Sequence, residues 1–174
     1  MAPFADSSIS RRAAIRRLAA VTLGVTAVPT LASMLACTSG GPRPIAYGRE
    51  ECAWCRMTVS DERFGAELLT PTGKQEVFDS VECLAAATLA LEPAEQARAA
   101  MRSWVTDWLH PGTLVPASAA RYLRSDGPGS PMGKGLEAFA SLADAEYEQR
   151  RSGGLTMSWD EVLAMVGGGR ATRG

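Results

Sequence analysis

The chain has 174 residues, with 18 Lys and Arg against 19 Asp and Glu, a net charge of −1. That balance offers no basic surface for nucleic acid. Its basic residues are also unevenly placed, because four arginines fall in the first 17 residues.

Residues 1–36 read as an export signal. Ser10-Arg11-Arg12 opens a basic stretch continued by Arg16-Arg17, and Leu18–Ala36 is a run of 19 residues without a charge. Basic segment, apolar segment and small residue before the break are the parts of a secretory signal. The paired arginines after Ser10 resemble a twin-arginine leader. Met34-Leu35-Ala36-Cys37 resembles a lipobox, which would make a lipidated Cys37 the mature N-terminus. The competing reading is an uncleaved anchor, since 19 apolar residues nearly span a bilayer; Pro29 and the many small residues favour cleavage. Either way the rest of the chain is expected outside the cytoplasm and tethered to a membrane, facing the periplasm or the cell exterior. Cleavage leaves 14 basic and 18 acidic residues, a net charge of −4. The remaining 138 residues fit one compact domain or two very small ones. No second apolar run is long enough to cross a membrane.

Residues 37–48, with Thr-Ser-Gly-Gly-Pro-Arg-Pro at their centre, are expected to be a lipidated flexible leash. Beyond it, Phe64–Leu69 is a β-prone run ending at the turn Pro71-Thr72-Gly73, and Lys74–Phe78 completes a hairpin. Asp79-Ser80 supply cap-type residues for a helix over Val81–Leu91, with Leu84, Thr88 and Leu91 on one face. Pro93–Met101 reads as a further helical segment and Ser103–Trp108 as a strand. After His110-Pro111-Gly112 the order recurs. Thr113–Val115 and Arg121–Arg124 are strands, Leu136–Arg150 a helix with Phe139, Leu142 and Tyr147 on its apolar side. Leu155–Met157 is a strand, and Ser158 caps a helix over Trp159–Val166. The class is α+β: two small strand-strand-helix-strand modules, over residues 49–109 and 110–174, in one compact exported domain.

Chemistry concentrates at Cys52-Ala53-Trp54-Cys55-Arg56-Met57, which places two thiols and a thioether within six residues. Soft sulfur donors select Cu(I) or zinc over hard cations. Zinc sites use thiolate, imidazole and carboxylate, so the thioether points to Cu(I). A two-residue gap between cysteines also marks redox motifs and half of a zinc ribbon, and a lone Met57 would ordinarily be a core residue. The cysteine count bears on these alternatives. With Cys37 lipidated, Cys52, Cys55 and Cys83 remain, an odd number that cannot be fully paired in an oxidising compartment. Three cysteines also fall short of a zinc ribbon. A thioredoxin-like motif would lie between a strand and a helix, and no long helical period follows Cys55. His110, the single histidine, is a further candidate ligand, although Pro111-Gly112 suit an exposed turn. Asp79 and Asp107 read as caps or hydrogen-bond acceptors, and the tryptophans as wall residues. No serine–histidine–acid set, phosphate-cradling loop or paired-acid arrangement supports an enzyme.

Taken together these segments resemble the NosL family of copper-binding lipoproteins, accessory to nitrous oxide reductase. Cys52–Met57 is similar to the family's Cys-Pro-x-Cys-Gly-Met motif, with Ala53 in place of the proline and Arg56 in place of the glycine. Phe78-Asp79-Ser80-Val81-Glu82-Cys83 mirrors its Phe-Asp-Asp-x-x-Cys segment. Val105-Thr106-Asp107-Trp108 resembles its Val-x-Asp-Tyr strand, and Pro131-Met132-Gly133 its Pro-Met-Gly loop. The resemblance implies two strand-strand-helix-strand modules and Cu(I) as cargo. It implies delivery to an apo-cuproenzyme, nitrous oxide reductase, together with its membrane copper-delivery machinery, and no catalysis. The implied ligands are Cys52 or Cys55, Met57 and Met132, with Cys83 near the site. The alternative from another class is an exported lipoprotein that cycles Cys52 and Cys55 between thiol and disulfide.

Overall fold

The computed structural model describes residues 40–127 and 129–171, and side chains up to residue 168. The arginine pairs, the apolar run and Cys37 lie outside the described residues.

Two antiparallel sheets form the frame. In the first, β1 (Ala66–Leu69), β2 (Gln75–Phe78), β3 (Ser103–Thr106) and β4 (Leu114–Pro116) are ordered β2-β1-β3-β4. In the second, β5 (Arg121–Arg124), β6 (Leu136–Phe139) and β7 (Leu155–Met157) are ordered β6-β5-β7. Each sheet therefore contains a hairpin whose first strand is central and whose third strand returns after a helical connection. Helices α1 (Val81–Leu89) and α2 (Pro93–Met101) make that connection in the first module, and α3 (Leu142–Ser152) in the second. A final helix, α4 (Trp159–Ala171), packs on α1.

The α+β class and the two modules agree with the sequence reading, but the strands of the second are assigned differently. The segment expected over Thr113–Val115 joins the first sheet as β4, pairing Val115 with Val105. The missing strand comes from Leu136–Phe139, expected as the start of a helix. All four of its residues are buried against β5, a pattern a surface helix cannot produce. The helix begins later because Ser141 is an N-cap: its side chain accepts from the Asp144 N–H at 3.2 Å. Leu142 and Tyr147, expected on the apolar side, are exposed, and Ala145 is the buried residue of α3.

The segment read as a leash is fixed to the first sheet from Gly41 onward. The Gly41 carbonyl accepts from Gln75 at 2.8 Å, and the Arg43 N–H donates to the buried Glu67 carboxylate at 3.0 Å. Arg43 also forms an ion pair with Glu50. Ile45 is buried, and the Tyr47 hydroxyl meets Thr106 at 3.3 Å. The physical reason is Glu67: a carboxylate inside a sheet needs a donor, and this segment supplies it.

Helix α1 is the axis of the core. Val81 through Ala86 and Thr88 are buried, because the helix touches β1, β2, β6 and α4. Thr88 returns its hydroxyl proton to the Leu84 carbonyl at 2.9 Å, which lets a polar residue sit on the buried face. Below it Tyr122 is fully buried, donates its hydroxyl to the Ala117 carbonyl at 2.7 Å and packs 5.8 Å from Trp159.

A candidate soft-metal site

Residues 48–59 fold back on themselves. Gly48 donates to the Val59 carbonyl at 2.8 Å, Val59 to the Glu50 carbonyl at 2.9 Å, and Cys52 to the Met57 carbonyl at 2.8 Å. The loop between Cys52 and Met57 is closed by Arg56 N–H on the Cys52 carbonyl at 3.1 Å, and pinned to β2 by Ala53 N–H on the Val77 carbonyl at 2.8 Å. Arg56 has φ +67°, the left-handed conformation in which a side chain costs about 1 kcal/mol or more. Arg56 thus holds a backbone conformation that glycine would adopt freely, at a cost in strain.

At the end of β2 the chain turns through Asp79 into α1. Ser80 is the N-cap, accepting from the Cys83 N–H at 3.3 Å, so Cys83 is the third residue of the helix. Pinning the loop to β2 brings it against this turn. Ligand atoms of Cys52, Cys55, Asp79 and Cys83 all lie within 4.8 Å of one another. Cys52, Cys83 and Asp79 are buried and Cys55 is half-buried, and the three cysteines are free thiols.

The sulfurs are electrostatically unlike. The Cys83 thiol donates to the Cys52 sulfur, and backbone N–H groups of Cys55, Asp79 and Trp54 converge on the same atom; against burial, they bring Cys52 down to about 6. Of the three sulfurs, Cys52 is the one whose surroundings favour the thiolate. Cys83 is pushed up, first because its proton is committed to Cys52 and then by burial. Burial pushes Cys55 up to about 11, aided by its thiol donating to Asp79 Oδ2 at 3.3 Å. The N-terminus of α1 adds positive potential to the same spot. One oxygen of Asp79, Oδ1, is buried without a partner among the described residues. A buried carboxylate oxygen left bare costs about 1–3 kcal/mol, and a cation among the sulfurs would relieve it.

The remaining predicted residues are placed as follows. Met57 closes the loop through its carbonyl and leaves its side chain 45% exposed. Met132 is 40% exposed, at the tip of a tight turn in which Gly133 N–H donates to the Ser130 carbonyl at 2.7 Å. That turn is bonded to Glu82, the neighbour of Cys83, through Ser130 Oγ. His110 is not brought into the group; its exposed ring bonds Asp107 at 2.6 Å through Nδ1. Sequence reasoning gave Cys83 second rank and read Asp79 as a cap or acceptor. Asp79 is an acceptor, from Cys55, but the cap is Ser80. The signal for Asp79 was its spacing of four from Cys83 across a helix start.

Three cysteine sulfurs and a carboxylate within 4.8 Å of one another, on an α+β frame of two modules, define a protein able to bind a soft metal ion. The chain belongs to the NosL family, whose family model matches residues 45–166. Its fold is similar to the crystal structure of the copper chaperone NosL from Shewanella denitrificans. The two are 25% identical with a TM-score of 0.54, over 69% of this chain and 96% of that one. No curated protein matches it.

Proposed function

We propose that this chain is an exported, lipid-anchored copper chaperone that carries Cu(I) and hands it to an apo-cuproenzyme, nitrous oxide reductase. The observation that carries the reading is the cluster of Cys52, Cys55, Asp79 and Cys83, whose ligand atoms lie within 4.8 Å of one another, in a chain of the NosL family. Cu(I) prefers thiolate and thioether donors. Cys52 is the primary ligand, Cys55 and Cys83 are the adjacent sulfurs, and Met57 and Met132 offer thioethers at the solvent edge. A carrier must exclude water from its cargo yet release it. Buried thiolate and exposed thioethers divide those tasks, because an incoming ligand displaces the thioethers first. Export rests on the arginine pair after Ser10, and anchoring on Cys37.

Competition of the reduced protein with a Cu(I) chelator tests the reading, with Cys52→Ser as the variant. Wild type should take about one Cu(I) per chain and the variant should lose it. Unchanged binding in Cys52→Ser would move the cargo elsewhere. A diacylated Cys37 at the mature N-terminus, read by mass spectrometry, tests the anchor; an intact Met1 would contradict it.

The lowered Cys52 also favours a second reading, thiol–disulfide exchange, because a thiolate attacks disulfides. Thiol labelling separates the two: copper should protect Cys52 and Cys55 from label under reducing conditions, whereas a redox protein is protected by oxidation alone.

A further inference from the structure

The turn bearing Met132 is bonded through one hydroxyl to Glu82, the residue before Cys83 at the start of α1. Ser130 is 5% exposed, and its Oγ donates to Oε1 of Glu82, which is itself 3% exposed. The same oxygen accepts from the Lys134 N–H at 3.2 Å and the Gly135 N–H at 3.1 Å. A serine hydroxyl has one proton and two lone pairs, so all of its capacity is engaged and its orientation is fixed. Pro131 follows in the turn, restricting the backbone on the other side. Downstream, Gly135 has φ +67°, and a Cβ there would fall 2.1 Å from the Ser125 carbonyl oxygen. The stretch from Ser130 to Gly135 is thus tied at both ends, with Met132 between. Glu82 is the second residue of α1, directly before Cys83. The bond joins residues 48 apart in sequence, linking the two modules.

We propose that Ser130 and Glu82 are positioning residues that hold the Met132 thioether against the thiol cluster for Cu(I), so that the two modules grip the ion together. This rests on the reading of Met132 as a ligand. Neither residue touches the metal. Ser130 is the hydrogen-bond donor of Glu82 Oε1, and Oε2 is buried without a partner among the described residues, so loss of the Ser130 hydroxyl leaves the buried carboxyl unsatisfied at both oxygens. Cutting the bond frees the turn, and the thioether arm then loses its fixed position while the thiols keep theirs.

A double-mutant cycle on the full metal-free chain, titrated with Cu(I) against a chelator, tests this. The variants are Ser130→Ala, Met132→Leu, their combination and Ser130→Thr. Ser130→Ala should lower Cu(I) affinity about tenfold or more, the range for groups that orient metal ligands. Ser130→Thr, which keeps the hydroxyl, should restore it. In the Met132→Leu background, Ser130→Ala should have no further effect. The ε-methyl NMR signal of Met132 gives a readout that mere destabilisation does not move: Cu(I) should shift it in wild type and Ser130→Thr, but far less in folded Ser130→Ala. If Ser130→Ala does not fold, Glu82→Leu removes the same bond without exposing the turn amides and should give the same loss. Full Cu(I) affinity in Ser130→Ala, with Met132→Leu weakened, would overturn the positioning role alone. An equal loss from Ser130→Ala in both backgrounds would overturn it too. Wild-type affinity in Met132→Leu would overturn the ligand reading beneath it and the proposal with it.

Discussion

The two modules repeat one another at the point where they differ most in chemistry. Phe78 ends β2 and pairs with Ala66, the first residue of β1; Phe139 ends β6 and pairs with Arg121, the first residue of β5. Each phenylalanine is fully buried, and each is followed by one residue, a serine N-cap and a helix. At the third helical position the first module has Cys83 and the second has Asp144. Asp144 folds back on its own cap, its carboxylate accepting from the Ser141 hydroxyl at 2.6 Å. The Cys83 N–H donates to its serine cap in the same way, but its thiol is directed at Cys52. The residue before the cap is Asp79 in one and Ala140 in the other. The topology is thus a neutral scaffold. The metal chemistry comes from loading one helix start with a carboxylate and a thiol, and from burying that helix among both sheets and α4, where its counterpart α3 lies on the surface.

Changes made in matched pairs sharpen the comparison. Phe78→Ala and Phe139→Ala should each lower unfolding free energy by about 3–5 kcal/mol, measured by denaturant titration. A clearly smaller cost at Phe139 would show that the second hairpin is not equivalent. Ser80→Ala and Ser141→Ala should each cost about 1 kcal/mol. Only Ser80→Ala should weaken Cu(I) binding, because it releases the backbone of Cys83; an equal loss from Ser141→Ala would break the assignment of chemistry to the first helix start. Arg56→Gly removes the left-handed strain but gives the unfolded chain more freedom, for a net gain of about 0.5–1 kcal/mol, read as a raised Tm in the metal-free protein. A fall in Tm would mean that the Arg56 side chain holds the loop.

Protonation marks the cysteine cluster in the first module and one buried glutamate in each. In the metal-free protein, alkylation of Cys52 should rise with pH around a midpoint near 6. Cys83→Ala removes the main donor and should move that midpoint upward. The buried glutamates act oppositely. Burial raises both Glu67 in the first module and Glu137 in the second. Between the ordinary glutamate pKa and these raised values the folded chain keeps protons that the unfolded chain has released. Stability therefore falls as pH rises through that window. Glu67→Gln and Glu137→Gln should each flatten the slope, followed by Tm against pH. An unchanged slope in both variants would place its origin elsewhere.

Much of this was legible in the sequence where short-range chemistry dominates. The hairpin over Phe64–Phe78, the helix start at Ser80 and the sulfur motif are marked by turn residues, a cap and donor spacing. Elements decided by distant contacts were not legible. Leu136–Phe139 has the apolar content of a helix face and becomes a strand because β5 offers an edge. Gly41–Pro44 reads as a flexible tether and is fixed because Glu67, far along the chain, needs donors. Asp79 looks like a cap until Ser80 takes that role. The joining of Cys52, Cys55 and Cys83 depends on Ala53 docking on Val77, a contact with no local signature.

The central claim is that the cluster at the start of α1 holds the cargo and that the matching position of the second module does not. Anaerobic Cu(I) titration against a chelator, combined with thiol labelling, tests it on wild type, Cys52→Ser and Asp144→Cys. Wild type and Asp144→Cys should each bind about one Cu(I) per chain, with Cys52 and Cys55 protected from label. Cys52→Ser should lose the ion. Copper bound by Cys52→Ser with wild-type affinity, or a second ion gained by Asp144→Cys, would contradict it.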